Sequence, residues 1–561
     1  MKFRNRIPIQ LKCGIMAYEE KNTILKSIND VDIRIGLINP NDYNLAMQTL
    51  GYQLLYGMLN EREDCFCERI IYPDVESIET SSNLEEFDIL SFSIHYTFNY
   101  FNLVDMLKKS KVPVLREDRT KEDPLIIAGG PIVTANPMPI SDFVDIFCIG
   151  DGEYVFNDFL DLYKKFGNPR EHLEEFANIE GLYIPELNNR TNIALVNDMD
   201  KKYHNTKPIT SGDNEENRIN LIRLEVARGC SRGCRFCMSG YLYRPLRETS
   251  VERLISIAEE SRKNIGFNKV LLTADAIADY SRIDELILKL KERNFNIMLS
   301  SARIESITRE SLEQLKLSGG TQIAINPESV DRIRKSINKD IPENLIREVI
   351  RNAFELGLNL RCSFMLGFSN ETEEDIIDLA DTIKSIVKTK NSINKDLSMK
   401  IKISLFVPKP QTPFQWDPYD LDLMESKVDL FMEQFDNMDL QFLKYTEIDM
   451  NYLDEANNLK LSINSNEPAF KDYVLSFGGS DVGELLLNGN LHSPISKWKK
   501  YYNAFDVGDP LPWDVINIGY LNNFLEKEYG KIKKGKLTPW CGDTQCYNCK
   551  DICYLNPKFN D

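Results

Sequence analysis

The chain has 561 residues, of which 42% are hydrophobic and 27% are charged, proportions typical of globular proteins. This length suffices for three or four domains, and the absence of any run of eighteen apolar residues predicts no membrane span. The net charge of −18 argues against a nucleic-acid partner, because such binding is largely electrostatic. The basic N-terminus lacks an apolar signal core, so we expect a cytoplasmic protein with reduced cysteines.

The first third of the chain alternates apolar, strand-like runs with helical segments. This alternation predicts a doubly wound, Rossmann-like α/β domain over residues 1–185, with its ligand crevice at the carboxyl ends of the strands. A diglycine at such a strand end permits close approach of a flat or phosphorylated ligand. The candidate residues in this domain are Gly51, Ser91, Ser93, Gly129 and Gly130.

A polar stretch at 186–220 is interpreted as a linker, and a cysteine triplet follows it. Cys230, Cys234 and Cys237 have C-x₃-C-x₂-C spacing, with two glycines that let the loop wrap closely around a ligand. A structural zinc site and a fully protein-ligated four-iron cluster each need four ligands. Three thiolates would leave one iron open to a small molecule. The alternative is a zinc site with a distant fourth ligand.

Residues 221–420 repeat a pattern of helix followed by strand. Helical segments at 251–264 and 343–356 alternate with apolar runs such as 269–274, and a long helix is predicted from Glu373. This order predicts βα units around a parallel sheet, where the chemistry lies at the carboxyl ends of the strands.

The region 421–561 is predicted to be a mostly helical domain that ends in a second cysteine group. Four cysteines within thirteen residues suit a closed tetrathiolate site. Zinc and a second iron–sulfur cluster both satisfy this spacing, so the metal stays open. The four candidate ligands are Cys541, Cys546, Cys549 and Cys553.

The segment around the triplet resembles the radical S-adenosylmethionine (SAM) enzymes, in the subgroup that carries an N-terminal cobalamin-binding-type domain. The resemblance implies a partial (β/α)₆ barrel and a [4Fe–4S] cluster on the three cysteines, whose open iron binds SAM. One electron then cleaves SAM to a 5′-deoxyadenosyl radical. It also implies an aromatic contact to the SAM adenine from Phe236. The strand-end residues that it places near SAM are Thr273, Asp275, Ser301, Arg303 and Glu328.

The N-terminal domain resembles the cobalamin-binding pattern, in which a D-x-H-x-x-G motif precedes S-x-L and then a diglycine. Gly51, the Ser91–Ser93 stretch and Gly129–Gly130 follow this order. When the motif is aligned on Gly51, Gln48 occupies the position of the cobalt-ligating histidine. The resemblance therefore implies cobalamin as a cofactor, without a histidine ligand from this motif.

Together these resemblances imply cobalamin-dependent methylation of an unactivated carbon in a protein side chain or small metabolite. The family resemblance implies a low-potential electron donor of the flavodoxin or ferredoxin type. Two alternatives stay open: a radical SAM rearrangement or ring formation without methyl transfer, and a non-catalytic iron–sulfur redox or assembly protein. The visible spectrum of anaerobically purified protein, with and without added cobalamin, discriminates among them.

Overall fold

The computed structural model describes residues 7–8, 19–212, 218–299, 303–317, 319–436, 438, 440–445, 449–521 and 523–541. The strands of the N-terminal part are β1 (Ile7–Pro8), β2 (Glu19–Lys21), β3 (Ile33–Asn39), β4 (Cys65–Ile71), β5 (Ile89–Ser93), β6 (Leu125–Gly129), β7 (Ile146–Cys148), β8 (Leu182–Tyr183), β9 (Thr191–Asn192) and β10 (Thr210–Ser211). Its helices are α1 (Tyr43–Gln48), α2 (Leu50–Glu61), α3 (Asn99–Lys109), α4 (Pro131–Ala135), α5 (Gly152–Phe166) and α6 (Leu173–Ala177).

Six of these strands form one sheet in the order β4-β3-β5-β6-β7-β8, parallel except for the last strand. The first five have the flavodoxin-like order, and their switch point lies between β3 and β5. Side chains of β3 alternate between two apolar clusters, Leu37 on one face and Ile38 on the other. Burial on both faces explains the continuous apolar strands, and the predicted doubly wound fold is confirmed.

The central part contains the βα units that the sequence predicted. Its strands are β11 (Ile222–Glu225), β12 (Ala227–Arg228), β13 (Arg247–Glu248), β14 (Lys269–Thr273), β15 (Asn296–Leu299), β16 (Gln322–Glu328), β17 (Asn359–Leu366) and β18 (Met399–Leu405). Its helices are α7 (Met238–Leu242), α8 (Val251–Ile265), α9 (Ile283–Glu292), α10 (Arg309–Leu317), α11 (Asp331–Ser336), α12 (Glu343–Glu355) and α13 (Glu373–Asn394).

Six strands of this part run in parallel within two groups of three, β11-β14-β15 and β16-β17-β18. They correspond to the six strands of the predicted partial barrel. The predicted helices at 251–264 and 343–356 are α8 and α12, and the long helix α13 begins at Glu373 as expected.

The C-terminal part contains helices, and it also adds three strands to the sheet that contains β16, β17 and β18. Its strands are β19 (Gln441–Tyr445), β20 (Asp449–Asp454), β21 (Leu459–Asn464) and β22 (Ile516–Asn517), and its helices are α14 (Leu421–Glu433), α15 (Asn466–Phe477), α16 (Val482–Asn488), α17 (Ile495–Lys499) and α18 (Phe524–Ile532). β21 pairs in parallel with β18, and β20 and β19 follow in antiparallel order. The sequence prediction of a mostly helical region did not include these strands, although buried residues alternate along β21.

Two short strands in the 186–220 stretch pair with distant parts of the chain. β9 pairs with β22, and β10 pairs with β2. The stretch is therefore built into neighbouring sheets in its described portion. None of the described helices is long and apolar enough to cross a membrane.

Candidate active site

A cavity of about 280 Å³ lies between the N-terminal sheet and the barrel. On the side of the N-terminal domain it is lined by all five sequence candidates, Gly51, Ser91, Ser93, Gly129 and Gly130. These residues come from α2 and from the carboxyl ends of β5 and β6. The opposite wall belongs to the barrel and its first loop, and it includes Glu225, Arg228, Tyr243 and Asp275.

Two glycines shape the cavity for different reasons. Gly130 has φ of +116°, and a Cβ at this position would lie 2.3 Å from the carbonyl oxygen of Ile94. Only glycine fits there, because the chain after β5 crosses directly over the diglycine. Gly51 has no heavy atom within 4 Å of the position that a Cβ would take. Gly51 is exposed where it lines the cavity, so a side chain at this position would meet no neighbouring atom.

His95 also lines the cavity, although it was not among the predicted site residues. Its Nε2 lies 3.0 Å from the Ser93 Oγ. The Asn99 carboxamide oxygen accepts hydrogen bonds from the backbone N–H groups of His95 (3.3 Å) and Tyr96 (3.0 Å), which fixes the loop after β5. Burial lowers the pKa of His95, so the imidazole is neutral at neutral pH.

A buried network of charges joins the two domains at the cavity wall. Arg228 contacts Asp151 at 2.7 Å, Glu153 at 2.9 Å and Glu225 at 2.8 Å. Arg247 contacts the second oxygen of Asp151 at 3.1 Å. Burial alone would raise the pKa of Asp151, but the Arg228 and Arg247 guanidiniums hold it below its usual value. The sequence prediction missed this network; the available signals were the acidic pair directly after β7 and the arginine directly before the triplet.

The triplet loop begins at this network. Gly229 donates its N–H to the Asp275 carboxylate (3.1 Å), and the Arg232 N–H points at the Cys230 Sγ at 3.5 Å. Burial first, and neighbouring thiols second, raise the pKa of Cys237 to about 12. For Cys230, burial and the neighbouring Cys234 thiol outweigh the Arg232 N–H and raise the pKa to about 11. Thiols with such pKa values stay protonated until a metal binds.

The three thiols of the triplet suit a [4Fe–4S] cluster, which takes cysteine thiolates as its protein ligands. In the described part of the chain, no three His, Cys, Asp or Glu side chains are grouped so as to hold one metal ion. A [4Fe–4S] cluster takes each thiolate on a different iron atom, so it does not require the three sulfurs to converge on one point. The Cys234 thiol raises the pKa of both Cys230 and Cys237, as expected for thiols that lie near one another.

Two of the predicted SAM-contacting residues lie at the triplet loop. Asp275 lines the cavity, and burial raises its pKa. Arg303 pairs with Glu305 at 2.7 Å, and its buried Nε has no hydrogen-bond partner among the described residues. Burial would lower the pKa of Arg303, but the charges of Cys234 and Glu305 raise it, which places the guanidinium near the triplet. A carboxylate ligand would satisfy this Nε.

The other SAM candidates have contacts within the protein or lie outside the described residues. Thr273 donates its hydroxyl to the Leu224 carbonyl oxygen at 3.1 Å. Glu328 forms an ion pair with Lys339. Phe236 packs against an apolar cluster that includes Phe406 and Ile532. Ser301 is outside the described part of the chain.

One cysteine of the second group is described. Cys541 is buried, and its backbone N–H donates to the Ser231 carbonyl oxygen at 2.9 Å, inside the triplet loop. The other predicted ligands, Cys546, Cys549 and Cys553, lie outside the described residues. The second cysteine group therefore starts in direct contact with the first.

Comparison with known proteins identifies the family. A model of the radical SAM superfamily matches residues 224–383, and a model described as radical SAM proteins, N-terminal, matches residues 51–185. An uncharacterized protein of Methanocaldococcus jannaschii is 30% identical over 398 residues, which cover 69% of this chain and 80% of that protein. The chain belongs to the radical SAM superfamily, and it is an enzyme. Membership implies a [4Fe–4S] cluster and SAM as cofactors.

Two further similarities are weaker. An uncharacterized methyltransferase of Pyrococcus horikoshii is 25% identical over 343 residues, covering 58% of this chain and 71% of that protein. Among solved structures, the radical SAM methyltransferase TsrM from Kitasatospora setae, with cobalamin and a [4Fe–4S] cluster bound, is 11% identical with a TM-score of 0.47. That alignment covers 68% of this chain and 73% of the other.

Proposed function

We propose that this enzyme methylates an unactivated carbon of a protein side chain or small metabolite, with cobalamin held in the cavity between its two domains. The observation that carries the proposal is the composition of the cavity. Its N-terminal wall contains the whole glycine and serine set that resembles a cobalamin-binding pattern, and its other wall includes Arg228, two residues before the first cysteine of the triplet. The similarity to a methyltransferase of Pyrococcus horikoshii agrees with this reaction.

The residues present fit the cobalamin class of ligand. Gly129 and Gly130 present backbone without side chains at the carboxyl edge of the sheet, next to the switch point where doubly wound domains bind cofactors. Ser93 and His95 supply polar groups beside them. Pockets of about 300–1,000 Å³ are usual for drug-sized ligands, and cobalamin is larger than those. The 280 Å³ cavity therefore accommodates part of the cofactor, and we expect its walls to move apart on binding.

When bound, the cluster with SAM supplies a radical that abstracts hydrogen, and cobalamin supplies a methyl group, chemistry that no acid–base side chain can perform. The protein holds the two sites next to each other. Arg228 contacts Asp151 of the N-terminal domain and lies two residues before Cys230. Asp275 borders the cavity and accepts a hydrogen bond from Gly229, directly before Cys230. The network thus couples the cavity wall to the position of the triplet.

The proposal is tested by a substitution at Gly51 that places a large side chain at the cavity, followed by measurement of hydroxocobalamin binding. Gly51→Trp places an indole in open space without a backbone clash, because Gly51 has a negative φ and no neighbour within 4 Å of its Cβ. Gly51→Ala is the matched control and retains that space. We expect the parent and Gly51→Ala to bind hydroxocobalamin at micromolar concentration, and Gly51→Trp to bind at least about ten-fold more weakly because the indole excludes part of the ligand. Equal binding by Gly51→Trp, or no binding by the parent at tens of micromolar, contradicts the proposal.

A further inference from the structure

The last described segment of the chain lies across the triplet loop. We call residues 523–541, which comprise α18 and the chain up to Cys541, the strap. At one end the Tyr529 hydroxyl donates to Asp417 at 2.8 Å, in the loop after β18. At the other end the Cys541 N–H donates to the Ser231 carbonyl oxygen at 2.9 Å. The strap therefore joins the loop after the last parallel barrel strand to the loop that holds the cysteines.

The centre of this contact is a buried ion pair. Arg235 lies inside the triplet, between its second and third cysteines, and its side chain is fully buried. The guanidinium Nε donates to Glu528 of the strap at 3.0 Å, and Nη2 lies 2.9 Å from the same carboxylate oxygen. The guanidinium also donates to the Ser336 carbonyl oxygen at 2.6 Å and to the Lys536 carbonyl oxygen at 2.8 Å. Glu528 is 1% exposed. A buried charge is tolerated only with such compensation, so each partner depends on the other.

Further contacts fix the loop on both sides of this pair. The Trp540 ring lies 4.3 Å from the Arg232 guanidinium. Asn338 bridges the strap and the loop, since its Oδ1 accepts from the Thr538 N–H at 2.8 Å and its Nδ2 donates to the Gly233 carbonyl oxygen at 3.1 Å. The strap thus contacts the backbone between the first and second cysteines as well as the side chain after the second.

We propose that Arg235 and Glu528 are positioning residues for the cluster, which fix the triplet backbone and balance each other's charge beside it. Fixed charges and hydrogen bonds around a cluster set its reduction potential. Without the Glu528 carboxylate, an uncompensated guanidinium beside the cluster favours the reduced state. Without the Arg235 guanidinium, the Glu528 carboxylate keeps only the partly exposed Lys531 as a cationic partner, at 2.6 Å, and the loss of one buried positive charge favours the oxidised state. This inference rests on family membership and is independent of the proposed methyl transfer.

The test compares Glu528→Gln, Arg235→Met and Arg235→Lys in the full chain after anaerobic cluster reconstitution. The readouts are a reductive titration followed by electron paramagnetic resonance and the rate of iron loss to a chelator. Asp145→Asn is the matched control, because the Arg119–Asp145 pair is equally buried (2.8 Å) and lies in the N-terminal domain.

We expect Glu528→Gln to raise the ratio of reduced to oxidised cluster at fixed potential by about five-fold or more, and Arg235→Met to lower it. Arg235→Lys keeps the positive charge but loses the planar guanidinium and its several N–H donors. We therefore expect the ratio of reduced to oxidised cluster to stay within about two-fold of the parent value. We expect iron to be lost to the chelator at least about five-fold faster, because the loop is held less firmly. Asp145→Asn changes neither readout. The proposal is overturned if Glu528→Gln has the same ratio of reduced to oxidised cluster as the parent. It is also overturned if Glu528→Gln and Arg235→Met change this ratio in the same direction. If Arg235→Met does not fold, the sign for Glu528→Gln decides.

Discussion

Two arginines of the triplet region, Arg228 and Arg235, are held in different ways. Arg228 precedes the cysteines and contacts three carboxylates in a network that borders a cavity, with 14% of its side chain exposed. Arg235 lies between two cysteines and contacts one carboxylate and backbone carbonyls, with none of its side chain exposed. The first borders the cavity, and the second is buried away from solvent.

The comparison shows that the two ends of the triplet loop are held by different kinds of contact. Its upstream end contacts the N-terminal domain, and it is held by charged side chains that border the cavity. Its downstream end must keep the cysteines in place, so it is held by a closed pair and by main-chain hydrogen bonds from the strap. The following changes separate the two ends, beginning with the cysteines on which both depend.

Replacing Cys230, Cys234 and Cys237 together by Ala is expected to abolish cluster assembly and SAM cleavage, because no thiolate remains to hold iron. Iron content and 5′-deoxyadenosine formation under dithionite measure the effect. Cys362→Ala is the control, since Cys362 is buried in the barrel away from the triplet and should leave both values unchanged. Parent-level 5′-deoxyadenosine from the triple variant would show that the triplet is not the cluster site.

Replacing Asp151 by Asn is expected to destabilise the upstream end, because it leaves Arg228 and Arg247 buried without a shared carboxylate. Removal of one partner from a buried pair costs about 3–5 kcal/mol, which would lower the melting temperature of a domain of about 200 residues by roughly 6–20 °C. Glu186→Gln, which removes the exposed Arg116–Glu186 contact at 3.4 Å, should change stability by less than about 1 kcal/mol.

The same substitution has a defined pH dependence. The pKa of Asp151 is lowered in the folded state, so its stabilisation is complete above the unfolded pKa of about 3.9 and is lost as pH falls toward the folded value. The stability difference between the parent and Asp151→Asn should therefore be constant from neutral pH to about 5 and shrink below about 4. A difference that grows on acidification would mean that the carboxylate is not held by the arginines.

Substitutions in the second cysteine group are expected to have a smaller effect, which is limited to the stability of the downstream end. We predict that a Cys549→Ser, Cys553→Ser double variant loses melting temperature but retains its iron content and its rate of SAM cleavage, as for a structural metal site. The contact between Cys541 and Ser231 sharpens this test, because a site that starts at the triplet loop could also relay electrons. A second cluster would be favoured if the double variant keeps its melting temperature but loses about four irons per chain and its rate of SAM cleavage.

The local elements of the fold were predictable because their signals are local. α8 begins after Ser250, whose side chain accepts a hydrogen bond from the Arg253 N–H, and ends at Gly266 in the left-handed region. A capped amphipathic segment of this kind is readable from sequence. The cysteine triplet and the diglycine were equally visible, because each is a short motif with fixed spacing.

The contacts that build the site could not be predicted, because their partners are far apart in the chain. Arg235 and Glu528 are separated by 293 positions, and although Arg235 lies within the cysteine motif, nothing local in the sequence marks Glu528 as its partner. The same holds for Asp151 and Arg228, which meet only when the N-terminal domain docks on the barrel. A single charged residue in a sequence is usually exposed to solvent. Only the tertiary fold shows that these charged residues are buried and paired.

Incubation of the parent protein with cobalamin, a low-potential reductant and SAM carrying a trideuterated methyl group tests the proposed function most directly. It requires no knowledge of the substrate. The account predicts methylcobalamin with the trideuterated methyl group, detected by mass spectrometry, and strongly reduced formation of this product in Gly51→Trp but not in Gly51→Ala. Tight cobalamin binding and 5′-deoxyadenosine formation without any labelled methylcobalamin would contradict methyl transfer and favour a radical SAM reaction of another kind.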